Sequence, residues 1–430
     1  MLSNKKIVCP NNLINLAKKS GIVDAAIVNA GEIFPMESVH KAVQHELINP
    51  VFIGNESEIK KHAEKLNWDI SKYKIINEKD ENSTASIAAK LASGGKAQII
   101  VKGHIHTDVL IKAVLKRNLN LIGKKRLSHV WHMTLGTDDK PFIITDGVVN
   151  VLPKLEVKMH ILKNAVDFAN KIGINRPKVS VLSATEEVLE SVPSSLEADI
   201  ITKKAKEENI NADVFGPLAF DNSVSKKSAA IKKIKNDVAG NTDILLVPNV
   251  ESGNALVKMM IYFMGACAAG VVLGCKTPVV ITSRSDESEA RLASIAAAVV
   301  ALNWKMIKQI LSKEIKEQLK NNPKCVLLDV RTEEEWNQNG KPDGEKIGLK
   351  TYFLSLIFKG KILNENFIEE FKNLNISQDY EIFTMCGSGG RSQRAAELLT
   401  RNGYACSNIS DGFTGNYEKV GWKKNQLPTK

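Results

Sequence analysis

Apolar, β-branched runs alternate along most of the chain with stretches whose apolar positions recur at helical spacing. Strands are predicted at 25–29, 50–54, 97–102, 141–145, 178–183, 242–248 and 278–282. Amphipathic helices are predicted between them, for example at 38–47, 155–172 and 225–234. Strands alternating with helices imply an α/β protein, with parallel sheets covered by helices on both faces. Such sheets place ligand sites beyond the carboxyl ends of strands. The segments 103–108, 146–147, 249–254 and 283–286 each follow a predicted strand and are the candidates. A second α/β pattern starts near Lys305, where a charged helix over 306–319 leads into an apolar strand at 325–330. No Pro/Gly/Ser-rich linker, internal repeat or low-complexity tract separates the two patterns. The uncharged run 259–275 lies between Lys258 and Lys276 and contains Gly265, Gly270 and Gly274. It falls short of the about 20 residues of a bilayer span, so it reads as a buried helix running into a buried strand. The group Met259, Met260 and Met264 is expected to pack in a core, the alternative being that it lines a ligand pocket.

Composition narrows the chemistry. The 430 residues are 43% hydrophobic and 25% charged, ordinary for a folded chain of two or three domains. A formal charge of +11 favours anionic partners. Nucleic acid, a membrane surface and small phosphorylated substrates are the candidates; the basic residues are scattered and carry no interleaved aromatics, which argues against nucleic acid. Six cysteines, Cys9, Cys267, Cys275, Cys325, Cys386 and Cys406, form no CxxC pair, and the amino-terminal stretch has no signal-peptide apolar core. A cytoplasmic protein with neither zinc site nor disulfide framework is the expectation. His104, His106, His129 and His132 form no HExxH pair, so no metal is expected.

Four ordered segments carry the main chemical signal. They are 101–108 with Arg126-Leu127-Ser128-His129-Val130; Thr145-Asp146-Gly147-Val148-Val149-Asn150 through Pro153; 216–221 with Pro248-Asn249-Val250-Glu251-Ser252-Gly253-Asn254 and Lys258; and Thr282-Ser283-Arg284-Ser285-Asp286 ahead of a helix with Leu292, Ile295 and Val299. Read alone, Ser283 caps the following helix, Gly103 and Gly253 are turn residues or points of close ligand approach, and Asn249 and Asn254 either cap a helix or bind substrate. Together the segments resemble the phosphate acetyltransferase and phosphate butyryltransferase family over nearly all of residues 12–303. The resemblance implies a two-lobed α/β domain over 1–304, split near 147, of the architecture shared with isocitrate and isopropylmalate dehydrogenases. The acidic metal ligands and GxGxxG fingerprint of such dehydrogenases are missing here. It also implies transfer of an acyl group between coenzyme A and inorganic phosphate in a homodimer. Coenzyme A is then a substrate, and no cofactor is tightly bound. On this reading Ser283 assists the coenzyme A thiolate and Arg284 holds phosphate. Asp286 contributes to catalysis, while Ser128, Asp146, Asn150, Asn249, Gly253, Asn254 and Lys258 bind substrate. The acetyltransferases of the well-known type have an aspartate seven residues after that serine, where this chain has Ala290. The Ser-Arg-x-Asp pattern fits the butyryltransferase branch, with Asp286 or Glu289 left to act as base. The alternative that Ala290 opens is an acyl-CoA-binding sensor domain that regulates the rest of the chain.

Cys386-Gly387-Ser388-Gly389-Gly390-Arg391-Ser392 follows an apolar strand and precedes a helix expected at 393–399. Backbone N–H groups of such a loop converge on an anion, and Arg391 adds charge, so a nucleophilic thiolate is expected at its mouth. Cys325 and Cys406 suit buried, inert positions. Leu327-Leu328-Asp329-Val330-Arg331 with Glu334-Glu335-Trp336, the Cys386 loop, Ile409-Ser410-Asp411-Gly412-Phe413 and Trp422 resemble one rhodanese-like domain over 305–430. The resemblance implies that Cys386 carries a persulfide between a small sulfur donor and an acceptor. The loop has sulfurtransferase rather than phosphatase length. The stretch 340–346 departs from the family's usual His-Ile-Pro-Gly segment.

Overall fold

The β-branched runs do become strands, and they join others into one eleven-stranded sheet. The computed structural model describes residues 2–123, 125–136, 140–283, 286–302, 307–358, 362–415 and 420–430. Two units result, residues 1–302 and 303–430. In the first, the strands in chain order are β1 (Val23–Val28), β2 (Ile48–Gly54), β3 (Ile75–Asn77), β4 (Ile99–Lys102), β5 (Ser128–Thr134), β6 (Phe142–Thr145), β7 (Lys178–Leu182), β8 (Asp213–Leu218), β9 (Ile244–Leu246), β10 (Cys267–Leu273) and β11 (Val279–Val280). They lie in the order β3-β2-β1-β4-β11-β10-β5-β6-β9-β7-β8.

Both wings of this sheet are parallel, as the alternation predicts, but its centre is not. β10 pairs antiparallel with β11 on one side and with β5 on the other, and β5 pairs antiparallel with β6. Strand polarity therefore reverses across the middle. β4 and β11 run together, while β6 and β9 run the opposite way. β5 escapes the sequence pattern because Ser128, His129, His132 and Thr134 interrupt its apolar residues, although all seven residues are buried. Its polar side chains are enclosed by helices and neighbouring strands on both faces.

The run 259–275 divides as expected into helix and strand, with β10 wholly buried. The helix Val250–Met264 is not buried: Met259, Tyr262, Phe263 and Met264 are 44%, 46%, 48% and 39% exposed. Only Met260 of the methionine group packs against the core around Trp131, Leu245 and Val257. Gly103 also has a different role from ligand approach. A Cβ there would lie 2.4 Å from the Asn29 carbonyl oxygen and 2.5 Å from that of Val28. Its lack of a side chain lets the end of β4 close on the end of β1, with the Gly103 N–H bonded to the Val28 carbonyl at 2.8 Å.

The second unit holds a five-stranded parallel sheet in the order β12-β18-β17-β13-β14, built from β12 (Lys308–Ile310), β13 (Cys325–Asp329), β14 (Lys350–Phe353), β17 (Glu381–Met385) and β18 (Ala405–Ile409). A small hairpin of β15 (Ile357–Phe358) and β16 (Ile362–Leu363) lies apart from it. Alternate residues face two cores, as strand geometry requires. Leu327, Phe383, Met385, Ile409 and Trp422 fill one, and Val326, Leu328, Ile382, Phe371 and Leu399 the other. The helix expected over 306–319 is replaced by β12, a 3₁₀ turn at Ser312–Glu314 and a helix over Ile315–Asn321. Ile310, 2% exposed, reads as part of a helical stripe but pairs with Ile409 at the edge of the sheet. Residues 303–306 lie outside the described residues.

Gly103→Ala forces two backbone carbonyls apart and is expected to cost about 1–3 kcal/mol. The urea midpoint of the first unit should fall, and an unchanged midpoint would contradict this packing.

Candidate functional sites

In the first unit, β11 ends at Val280 and the chain turns through Thr282 and Ser283 before the helix Ser288–Ala301. That helix is capped at Glu287 with no side-chain bond, so Ser283 stands five residues ahead of it and is not its cap. The loop is held from inside by Arg291, which is 5% exposed. Its guanidinium donates to the Asp286 carbonyl at 3.0 Å, the Thr282 hydroxyl at 2.8 Å and the Ser283 carbonyl at 2.7 Å. The Asp286 carboxylate in turn accepts the Ser283 N–H at 2.7 Å. Burial raises the pKa of Asp286, and the Ser283 N–H, Lys258, Arg291 and Lys102 oppose that rise without cancelling it. Lys102, 4% exposed at the end of β4, is a buried cation that lies within the first motif segment but was given no role there. Arg291 was missed as well, because an arginine inside an alanine-rich helix has no motif signature. Arg284 and Ser285 lie outside the described residues.

Glu289 is committed elsewhere. Its carboxylate pairs with Lys41 at 2.9 Å and accepts the Cys9 N–H at 3.3 Å, while Lys41 also bonds the Ser288 hydroxyl. Of the two carboxylates considered as base, Asp286 is the one bonded to the Ser283 backbone.

The other expected substrate residues form a second group after β6 and β9. Asp146, 2% exposed, accepts the N–H groups of Val148 and Val149 at 2.9 and 3.0 Å and the Asn150 amide at 2.7 Å. Asn150 also donates to the Leu127 carbonyl at 2.9 Å. Asn249 caps the helix Val250–Met264, accepting from the Ser252 N–H at 3.0 Å and hydroxyl at 2.7 Å. Asn254 reaches the Gly147 carbonyl at 3.3 Å. Gly253 lies against Gly147, and a Cβ on it would sit 2.9 Å from the Gly147 Cα. Ser128 is fully buried and accepts the Asn164 amide at 2.8 Å. The polar capacity of these residues goes largely to the protein itself. Lys258 belongs to the same helix as Gly253 and Asn254 but sits about two turns from its start, beside Asp286. Among the histidines, burial holds His129 and His132 down at about 3 and about 4, which keeps both neutral. His106 pairs with Glu81 at 3.0 Å.

In the second unit, the loop after β17 leads into the helix Gly390–Arg401, three residues longer at its start than the sequence pattern suggests. Cys386 is 1% exposed, so the thiol lies at the floor of the loop and not at its mouth. Its Sγ accepts the Gly389 N–H at 3.2 Å and the Ser392 hydroxyl at 3.3 Å. Gly389 adopts φ 96°, with the Ser410 carbonyl 2.3 Å from where a Cβ would be. The loop is clamped from behind, since the Phe413 and Thr414 N–H groups bond the carbonyls of Cys386 and Gly387 at 2.7 and 3.0 Å. Gly387 is buried within it, while Ser388 and Gly390 face solvent. Arg391 is not a lone charge: it forks onto the Glu335 carboxylate with two bonds of 2.6 Å. That bond to Glu335, and secondarily the nearby Cys386, raises the Arg391 pKa. Burial works against the charged form of Glu335, but the Arg391 bond and the Thr332 N–H outweigh it. Asp329 and Arg331, both buried, pair at 2.7 Å, and the Arg331 guanidinium lies 3.8 Å from the Phe413 ring centre.

Residues 81–299 match the family model described as phosphate acetyl/butaryl transferase, and residues 311–419 match that of the rhodanese-like domain. The chain belongs to the phosphate acetyl/butyryl transferase family. It carries a rhodanese-like domain behind that region. A phosphate acetyltransferase of Rickettsia felis is 40% identical over 265 residues, covering 61% of this chain and 76% of that protein. A phosphate butyryltransferase of Clostridium acetobutylicum is 34% identical over 295 residues, or 68% and 98%. The crystal structure of a branched-chain phosphotransacylase from Enterococcus faecalis matches this family member with a TM-score of 0.58 at 32% identity, covering 65% of this chain and 99% of that one. No helix among the described residues is long and apolar enough to cross a membrane.

The raised Asp286 pKa has a signed consequence. Below its ordinary value near 3.8 the carboxyl is protonated in both folded and unfolded chains. As pH rises through the higher folded value, ionising it inside the loop costs stability. Asp286→Asn should therefore be more stable than the parent at pH 7, with the difference closing towards pH 4. Thermal midpoints of both proteins across that range check it, and a variant less stable at pH 7 would refute it.

Proposed function

We propose that residues 1–304 transfer an acyl group, acetyl or butyryl, between coenzyme A and inorganic phosphate, and that residues 305–430 act as a sulfurtransferase through Cys386, both in the cytoplasm. The observation that carries the first part is the Ser283–Asp286 loop, pinned by Arg291 and surrounded by Lys258 and Lys102, in a chain of this family. A phosphate oxygen attacks the thioester carbonyl, negative charge develops on the carbonyl oxygen, and the carbon–sulfur bond breaks to release coenzyme A as a thiolate. Each stage needs fixed donors and cations where charge appears. On this proposal Ser283 assists the thiolate, Arg284 holds phosphate, and Lys258 is a cation at the adjoining cavity. The buried Asp286 fits a proton acceptor for the reverse reaction, in which the coenzyme A thiol attacks the acyl phosphate. The apolar side chains exposed on the helix Val250–Met264 support a homodimer that covers them.

For the second part, a sulfane donor such as thiosulfate loses its outer sulfur to the Cys386 thiolate and leaves as sulfite. The persulfide then passes that sulfur to a nucleophile. The Gly389 N–H and Ser392 hydroxyl directed at Sγ support this role, since they hold the sulfur in place within the loop.

Acetyl-CoA or butyryl-CoA with phosphate should release free coenzyme A, and Arg284→Ala should lower kcat/KM by about 100-fold or more. Tight coenzyme A binding without release would sink the transferase and leave an acyl-CoA sensor. Thiosulfate:cyanide sulfur transfer should be present in the parent and absent in Cys386→Ser. Equal rates in the two proteins would remove Cys386 from the chemistry.

A further inference from the structure

Beside the Ser283 loop lies a cavity of about 170 Å³ that no motif announced. Two of its walls are the helix Val250–Met264 with the start of β10, and the first turn of the helix Ser288–Ala301. The remaining wall is the amino-terminal segment 2–7. That segment is anchored at both ends. The Ser3 N–H donates to the Tyr262 carbonyl at 2.8 Å, and the Cys9 N–H donates to Glu289 at 3.3 Å. Gly265 makes room for it, since a Cβ there would meet the Ser3 hydroxyl and the Lys5 side chain at 2.7 and 2.8 Å.

The lining is divided in character. Asp286 and Lys258 stand at the side shared with the Ser283 loop, while Ile7, Ile261, Ala268 and Ala290 supply apolar surface. Small side chains create the space: Ala268 and Ala290 are 5% and 4% exposed, and longer residues at either position would fill it. The charged lining is balanced, with Lys5 and Lys258 against Asp286 and Glu287, so the cavity carries no net charge to hold a phosphate dianion. The volume is close to the about 150 Å³ of an apolar cavity able to enclose benzene, which suits a few carbon atoms and excludes a nucleotide.

We propose that this cavity receives the acyl chain of the substrate, and that Ile7, Ile261 and Ala290 set the longest chain accepted. The assignment rests on the acyltransferase reading and makes it specific. Ala290, the position at which this chain departs from the acetyltransferase pattern, is part of the cavity wall. The departure thereby becomes a determinant of chain length. The amino-terminal segment becomes part of the specificity site, although it lies far from every motif in the sequence.

The test is the full-length protein with acetyl-, butyryl- and hexanoyl-CoA, reading kcat/KM with phosphate and, separately, Kd by calorimetry. Ala290→Val narrows the cavity and should lower the butyryl-to-acetyl ratio about tenfold or more, the discrimination expected for one methylene in an apolar pocket. Ile261→Ala widens it and should raise the hexanoyl-to-butyryl ratio by a similar factor. Ile7→Trp narrows the cavity from the segment side, and decides the matter if Ala290→Val does not fold. Ratios within twofold of the parent in folded variants overturn the assignment. Should the parent turn over no acyl-CoA, the transferase reading falls, and the Kd ratios still decide the cavity. A shift with the variants supports an acyl-chain pocket, and no shift removes it.

Discussion

The antiparallel pairing of β5 with β10, from Ser128 opposite Leu273 to Thr134 opposite Cys267, is the seam on which the first unit depends. All residues of both strands are buried there, so the pairing is protected from water on each face. It joins two parallel wings into one sheet and reverses their polarity. The strands leading to Ser283 and to Asp146 consequently end in opposite directions. The helix Val250–Met264 bridges the difference, with Gly253 against Gly147 near its start and Lys258 beside Asp286 farther along. A set of motifs that looks like one constellation in the sequence is thereby sorted into a framework group and a chemical group.

In both units a buried guanidinium does the holding. Arg291 collects the carbonyls and hydroxyl of the Ser283 loop, and Arg331 pairs with Asp329 beneath Phe413, whose N–H holds the Cys386 carbonyl. Taking an arginine out of water is costly. The Arg331 Nε and one terminal nitrogen offset it on Asp329 and the Gly340 carbonyl, while Nη1 finds no hydrogen-bond partner among the described residues. The return is a loop whose backbone is fixed before any ligand arrives, which is what stabilising a developing charge requires. Cys386 shows the same economy of motion: its sulfur meets the Gly389 N–H and Ser392 hydroxyl within a loop closed from behind by Phe413 and Thr414.

Much of this was legible from residues close together in the chain. The parallel wings followed from β-branched runs alternating with amphipathic helices, and the Cys386 loop from glycines and an arginine between strand and helix. What escaped was governed by distant partners. β5 carries too many polar residues to read as a buried strand until β10 and β6 enclose it. Residues 308–310 look helical until β18 offers an edge. Met259 and Met264 look like core residues until the helix is seen to turn them outward.

The sequence by itself determined the family, the two α/β patterns and the residues able to do chemistry, because the character of a loop is written within a few consecutive positions. Only the tertiary structure decided which of those residues are occupied in holding the fold. Asp146, Asn249 and Ser128 are committed to neighbours, Glu289 is taken by Lys41, and Asp286 is left beside Ser283 at a cavity closed by the amino-terminal segment. Burial, strand polarity and the reach of one arginine settle those outcomes, and each depends on contacts between parts of the chain that the sequence keeps far apart.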